Sequence, residues 1–194
     1  MKKRLVVGIS GASGVIYGIR MLEILRTRDD VETHLVMTEM AKATIGMETD
    51  YAVGDVERLA DITYGIRDLA AAISSGSYPV DGMVVAPCSV RSLSSIANST
   101  NDNLLVRAAD VTLKQRRLLV ILFRETPLHV GHCRLMATAA VLGAIIMPPL
   151  PAFYTRPSTI GEMIDQTLAR VLDFWDIDLG LPRWKDSGSE SPKS

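Results

Sequence analysis

The chain has 194 residues, 47% of them hydrophobic, and its 21 Lys and Arg nearly balance 22 Asp and Glu for a formal net charge of −1. That balance excludes a broad field drawing in nucleic acid or an anionic membrane, so any anion must be held by local groups. No apolar stretch is long enough to span a bilayer, and Cys88 and Cys133 have neither a zinc nor a disulfide spacing.

Met1-Lys2-Lys3-Arg4 leads straight into a short apolar run ending at a glycine, too brief for a signal peptide, so a reduced, cytoplasmic protein is expected. Leu5 to Ile9 reads as a first buried strand and Ser10 to Gly14 as a turn. A helix follows, with Val15, Ile19, Leu22 and Leu25, or nearby Ile16 and Met21, on its buried face. Thr33 to Met37 is the second strand, and Thr38 suits the cap of a helix running to about Met47. Asp55 to Asp61 and Asp68 to Ile73 read as short helices, and Ser74 to Ser77 as a loop.

Gly82 to Ala86 is the third strand, stopped by Pro87. Asp102 to Arg116 reads as a helix, Leu118 to Phe123 as the fourth strand, Gly131 to Leu142 as a helix and Ala144 to Met147 as the fifth strand. Pro148 to Pro151 stiffens the next loop, and Thr159 with Glu162 forms a capping box for a helix to about Phe174. This alternation predicts a Rossmann-like three-layer α/β fold with a doubly wound, mainly parallel sheet. Residues 1–184 are expected to form a single domain, and 185–194 a polar, mobile tail.

Two turns follow buried strands and contain small residues: Gly8-Ile9-Ser10-Gly11-Ala12-Ser13-Gly14 and Ala86-Pro87-Cys88-Ser89-Val90-Arg91-Ser92. Ligands in open α/β sheets sit beyond the carboxyl ends of strands, and helix N-termini favour anions there, so the two turns suggest a shared crevice. A tight turn without a ligand is the plain alternative for the first. For Cys88, a small buried thiol is favoured over a nucleophile, because no His is near it in sequence.

Arg107, Asp110, Val111 and Lys114 fall on one helical face, which a solvated charged stripe would equally explain. Arg124-Glu125 follows a buried strand and suits phosphate binding and proton relay, against a structural ion pair. His129 and His132 lack an evident third ligand and make a poor metal site. Tyr154, near rigid prolines, and Arg170, on the last helix, can together close over a small anion, though each taken singly reads more readily as structural.

Taken together, Gly8 to Gly14, Glu48-Thr49, Ala86 to Ser89, Arg107 to Val111, Arg124 to Leu128 and Pro151 to Tyr154 resemble the signature blocks of the UbiX/Pad flavin prenyltransferases, in order and over nearly the whole chain. The resemblance implies joining of the dimethylallyl group of dimethylallyl phosphate to N5 and C6 of reduced FMN. The product, prenylated FMN, would serve a UbiD-type decarboxylase. It also implies a homo-oligomer, commonly a dodecamer, with no metal required. Carried over by position, Gly11, Ala12, Ser13, Thr38, Cys88, Ser89, Val90, Arg91 and Arg124 would hold FMN.

Lys114, Arg124, Glu125, Tyr154, Arg170 and Trp184 would serve the prenyl phosphate, with Ser13 beside it. Glu125 is expected to protonate the departing phosphate and Glu48 to take the proton released on ring closure, with Ser13 and Lys114 completing the catalytic set. Thr38 stands where the family often has Ser and keeps the hydroxyl. The rival readings are an FMN-dependent oxidative decarboxylase of the phosphopantothenoylcysteine-decarboxylase type and a non-catalytic flavin carrier subunit.

Overall fold

A computed structural model describes residues 2–184; the polar tail read over 185–194 lies outside them. The sequence suggests one domain over 1–184; the described backbone clusters into two compact units divided between Pro149 and Leu150.

The first unit holds six strands, β1 (Lys3–Ile9), β2 (Val31–Met37), β3 (Ile62–Tyr64), β4 (Gly82–Cys88), β5 (Leu118–Phe123) and β6 (Ile145–Ile146). They form one sheet in the order β3-β2-β1-β4-β5-β6, and every neighbouring pair is parallel. This is the Rossmann order, in which the chain reverses its winding between β1 and β4. The connecting helices are α1 (Ile16–Arg26), α2 (Glu39–Glu48), α3 (Val53–Glu57), α4 (Val90–Ala97), α5 (Leu104–Lys114) and α6 (Val130–Val141).

A strand buried on both faces needs apolar residues at every position, and β4 is buried throughout. Alternation assigns the two faces. Val6, Met83, Val85, Leu119 and Ile121 pack in one cluster with Leu93 of α4, Leu105 and Ala108 of α5 and Ala139 of α6. On the opposite face α1 lies so close that a Cβ built at Gly18 would stand 2.4 Å from the Ala86 carbonyl oxygen and 2.7 Å from the Ile9 side chain. Only a residue without a side chain admits that approach.

Several boundaries differ from the sequence reading. β4 continues past Pro87 to Cys88 through a register shift between Val85 and Cys88. A proline, having no N–H to give the ladder, is tolerated at such an irregularity. The helix read over 55–61 is instead α3, ending at Glu57, followed by the edge strand β3. The Asp61 carboxylate accepts from the Thr33 N–H and hydroxyl at 2.7 and 2.8 Å, pinning the start of that strand to β2. No helix forms over 68–73; the Asp68 carboxylate accepts from the Ala70 N–H at 3.1 Å, and a 3₁₀ turn covers Ala72–Ser74. Such a local side-chain bond competes with helix formation.

In the second unit α7 (Ile160–Leu172) starts where the sequence places it: the Thr159 hydroxyl accepts from the Glu162 N–H at 3.1 Å. The Glu162 carboxylate reaches one residue further back than a capping box requires, accepting from the Ser158 N–H and hydroxyl. A 3₁₀ turn, Asp173–Trp175, follows and ends at Asp176 in the left-handed region at φ 56°.

Candidate functional site

Three helices, α1, α2 and α4, begin at the carboxyl ends of β1, β2 and β4, which are neighbours in the sheet. Each helix start leaves backbone N–H groups without helical partners and carries a positive partial charge. Their convergence at the point of reversed winding makes an anion-binding crevice from main chain alone.

Side chains fix the geometry of each turn. The Thr38 hydroxyl caps α2 by accepting from the Ala41 N–H at 3.1 Å, and the Thr38 N–H donates to the Ile9 carbonyl at 3.0 Å. The Ser89 hydroxyl caps α4, accepting from the Ser92 N–H at 3.2 Å. At α1 the N-cap residue Val15 offers no side-chain bond. The Glu48 carboxylate, from the end of α2, accepts instead from the Gly14 N–H at 2.8 Å. Gly14 has φ +93°, a left-handed conformation that favours glycine.

The two crevice turns are also bonded to each other. Ser10, fully buried, donates its hydroxyl proton to the Pro87 carbonyl at 3.0 Å and accepts from the Ser89 N–H at 2.8 Å. Ser10 lies within the first small-residue motif, whose pattern alone assigns it no role. A serine where a buried strand passes into its turn was the available signal.

Cys88 is fully buried, and burial pushes its thiol far above the ordinary range. It therefore stays a neutral thiol, with the character of a packing group rather than a nucleophile. The adjoining Ser89 and Val90 are half-buried and Arg91 is exposed. Arg91 also lines an open hollow of about 650 Å³ with Val90, His129, His132 and Arg134. The His129 and His132 rings stack with centroids 3.7 Å apart, and the His129 Nδ1 accepts from the Gly131 N–H to cap α6. Among the described residues no group of three or more His, Cys, Asp or Glu is arranged to hold a metal ion.

Arg124 leaves the end of β5, where its N–H donates to the Cys88 carbonyl at 3.0 Å, so it enters the same crevice edge with its side chain exposed. The Glu125 carboxylate is turned back on its own chain, accepting from the Thr126 N–H at 3.0 Å. Ser13, Gly11 and Ala12 occupy the turn after β1. Thus Gly11, Ala12, Ser13, Thr38, Glu48, Ser89, Val90, Arg91, Arg124 and Glu125 gather at one end of the sheet.

Lys114 does not join them. It closes α5, which leads into the start of β5, whereas Arg124 and Glu125 follow the end of that strand. Six residues of strand at about 3.3 Å each separate the two ends by about 20 Å. Lys114 lines a hollow of about 620 Å³ with Arg116, Arg117, Val141 and Leu142. Its helical neighbours are not a simple solvated stripe. Arg107 binds Asp110 at 3.2 Å and the Ser74 carbonyl at 3.1 Å, and Val111 is buried.

In the second unit Tyr154, Arg170 and Trp184 line one hollow of about 150 Å³. Tyr154 and Trp184 meet edge to face at 5.4 Å between centroids. Arg170 stands 3.8 Å from Asp173. That carboxylate is already held by both terminal nitrogens of Arg183, at 2.9 and 2.7 Å.

The Flavoprotein family matches residues 1–167. The flavin prenyltransferase UbiX of Salmonella typhimurium is 60% identical over 177 residues, which cover 91% of this chain and 94% of that protein. A solved structure of AnUbiX (PadA1) with FMN and dimethylallyl pyrophosphate has a TM-score of 0.93 at 47% identity, covering 96% of this chain and 99% of that one. A dodecameric FMN-dependent UbiX-like decarboxylase from Escherichia coli O157:H7 gives 0.92 at 43%, covering 94% and 100%. A phosphopantothenoylcysteine decarboxylase shares the fold alone, with a TM-score of 0.68 at 17% identity over 91% of this chain and all of that one. At these identities and coverages, the chain belongs to the UbiX family of flavin prenyltransferases.

Proposed function

We propose that this enzyme joins the dimethylallyl group of dimethylallyl phosphate to N5 and C6 of reduced FMN, giving prenylated FMN. The observation that carries the reading is the meeting of three helix N-termini with Arg124 and Glu125 at one sheet end. Free main-chain N–H groups and an exposed guanidinium fit a flavin phosphate and a second, departing phosphate without any metal.

Gly11, Ala12, Ser13, Thr38, Cys88, Ser89, Val90, Arg91 and Arg124 hold the flavin in this reading. Because Cys88 is fully buried, its share of the contact falls to the flanking Ser89. Reduced flavin supplies an electron-rich ring that accepts the allyl carbon. The protein's task is to make the carbon–oxygen bond of the donor break. Negative charge then grows on phosphate, where Arg124, Lys114 and Arg170 stabilise it, and Glu125 delivers a proton to the phosphate oxygen. Tyr154 and Trp184 complete the donor site, with Ser13 beside the phosphate. Glu48, an acceptor anchored on the Gly14 N–H, takes the proton released on ring closure.

Lys114 stands about a strand's length from Glu125 in its own chain, so it serves the site of a neighbouring copy. The dodecameric relative supports assembly of this kind, and we assign the same homododecamer here. A modified flavin made as a product needs a second enzyme to use it, and we assign that place to a UbiD-type decarboxylase. No helix among the described residues is long and apolar enough to cross a membrane, and the cytoplasm is the assigned compartment.

The test is anaerobic incubation with reduced FMN and dimethylallyl phosphate, followed by mass spectrometry of the flavin. An adduct heavier by one dimethylallyl unit is expected. Recovery of unmodified FMN would refute the reading, and loss of carbon dioxide from added phosphopantothenoylcysteine would favour the oxidative decarboxylase instead. Glu125→Gln should retain flavin and lose about a hundredfold or more in single-turnover rate, the low end for a general acid; a wild-type rate would remove Glu125 from its role.

A further inference from the structure

We propose that Ser10 is a positioning residue that sets the spacing and orientation of the two flavin-binding turns. The inference rests on the flavin occupying the crevice between β1 and β4. Parallel strands hold their register through backbone bonds, and the last registered pair between these two strands is Gly8 with Val85. Beyond it β4 shifts its register against β5, and Pro87 has no N–H to offer. The β1–β4 ladder therefore reaches the crevice with a single further backbone bond, from the Ser10 N–H to the Pro87 carbonyl.

Ser10 carries the connection onward. Its N–H donates to the Pro87 carbonyl at 3.2 Å, its hydroxyl donates to the same oxygen at 3.0 Å, and that hydroxyl accepts from the Ser89 N–H at 2.8 Å. A side chain thus supplies the acceptor that strand geometry no longer gives. Ser89 is also the cap of α4, accepting from the Ser92 N–H. The direction in which the first amides of α4 point is then fixed through Ser89 by the Ser10 hydroxyl. Ser10 has no accessible surface, so it acts through these turns and never touches ligand.

Without the hydroxyl, the Ser89 N–H loses its acceptor, and the turns leave their binding geometry for part of the time. Apparent affinity falls by the fraction of time in which they are competent. Flavin affinity, read by fluorescence quenching, and KM for dimethylallyl phosphate are measured on wild type, Ser10→Ala and Ser10→Cys. Ser10→Ala is expected to weaken FMN binding about tenfold, with the donor KM at saturating flavin within about twofold of wild type. Ser10→Cys, with a weakly bonding thiol of similar size, should lie between them. A hydroxyl that only stabilised the fold would lower the melting temperature and leave the flavin-to-donor ratio where it was; that result overturns the proposal. If Ser10→Ala does not fold, Ser10→Cys decides alone, and wild-type flavin affinity in it overturns the proposal. Absence of FMN binding by the wild type would instead remove the underlying flavin reading.

Discussion

Replacing Gly18 by alanine tests the closeness of α1 to the end of β4. A Cβ there would sit 2.4 Å from the Ala86 carbonyl oxygen and 2.7 Å from Ile9 Cδ1 and Cγ1. An ordinary carbon–oxygen contact is about 3.3 Å or more, so the helix and strand must part by about 1 Å. Overpacking of this kind costs about 1–3 kcal/mol, and the oxygen is backbone, so the upper half of that range applies. Alanine returns roughly 1 kcal/mol of helix propensity. The net loss is about 1–2 kcal/mol, or ~3–6 °C in melting temperature for a chain of this size. Gly46 is the internal control, since nothing lies within 4 Å of a Cβ at that position of α2. Gly46→Ala should raise the melting temperature by ~2 °C from propensity alone. Thermal unfolding followed by circular dichroism reads both variants. Equal shifts of the same sign would refute the reasoning, because only the tertiary contact distinguishes the sites.

Three further outcomes are expected. His34 is fully buried, bonded to Tyr64 at 2.9 Å and Glu32 at 3.0 Å, with Tyr78 edge-on, Arg4 bound to Glu32 and Asp61 nearby. Burial holds its pKa below the ordinary value, so the unfolded chain binds the proton first. Stability is therefore lost as pH falls below about 6.5, at up to ~1.4 kcal/mol per pH unit from this group; denaturant titrations of wild type and His34→Gln at pH 7 and pH 5 should converge on the acid side. Arg183→Ala should free Asp173 to draw in Arg170 and raise the donor KM about threefold, and adding Asp173→Asn should restore it. Tyr154→Phe and Arg170→Ala should weaken donor binding more than flavin binding, and equal losses in both affinities would remove them from the donor site.

What the sequence could reveal depended on how local each cause was. β1 and β5 are apolar runs whose neighbours supply turns, and their limits were legible to within two residues. Thr38 and Thr159 cap helices through bonds within three residues, and both were read correctly. β3 was missed because three residues carry no alternation, and it is pinned from outside by Asp61 on Thr33. Pro87 was read as a stop because a lone proline argues against a strand, while the register shift that admits it is tertiary. The crevice turns were legible as motifs because small residues before a helix are a local pattern. Glu48 on Gly14 and Ser10 on Ser89 were not, since they join residues 34 and 79 positions apart. Lys114 shares a helix face with Arg107, yet helix direction carries it to the opposite end of the sheet from Arg124.

The four inner strands have six or seven residues each, while β3 has three and β6 two. A lateral border this stubby exposes few vacant amide and carbonyl groups for a foreign strand to copy. Any meeting of copies of the chain would therefore run through side-chain surfaces, with little risk of strand-by-strand fibrous growth.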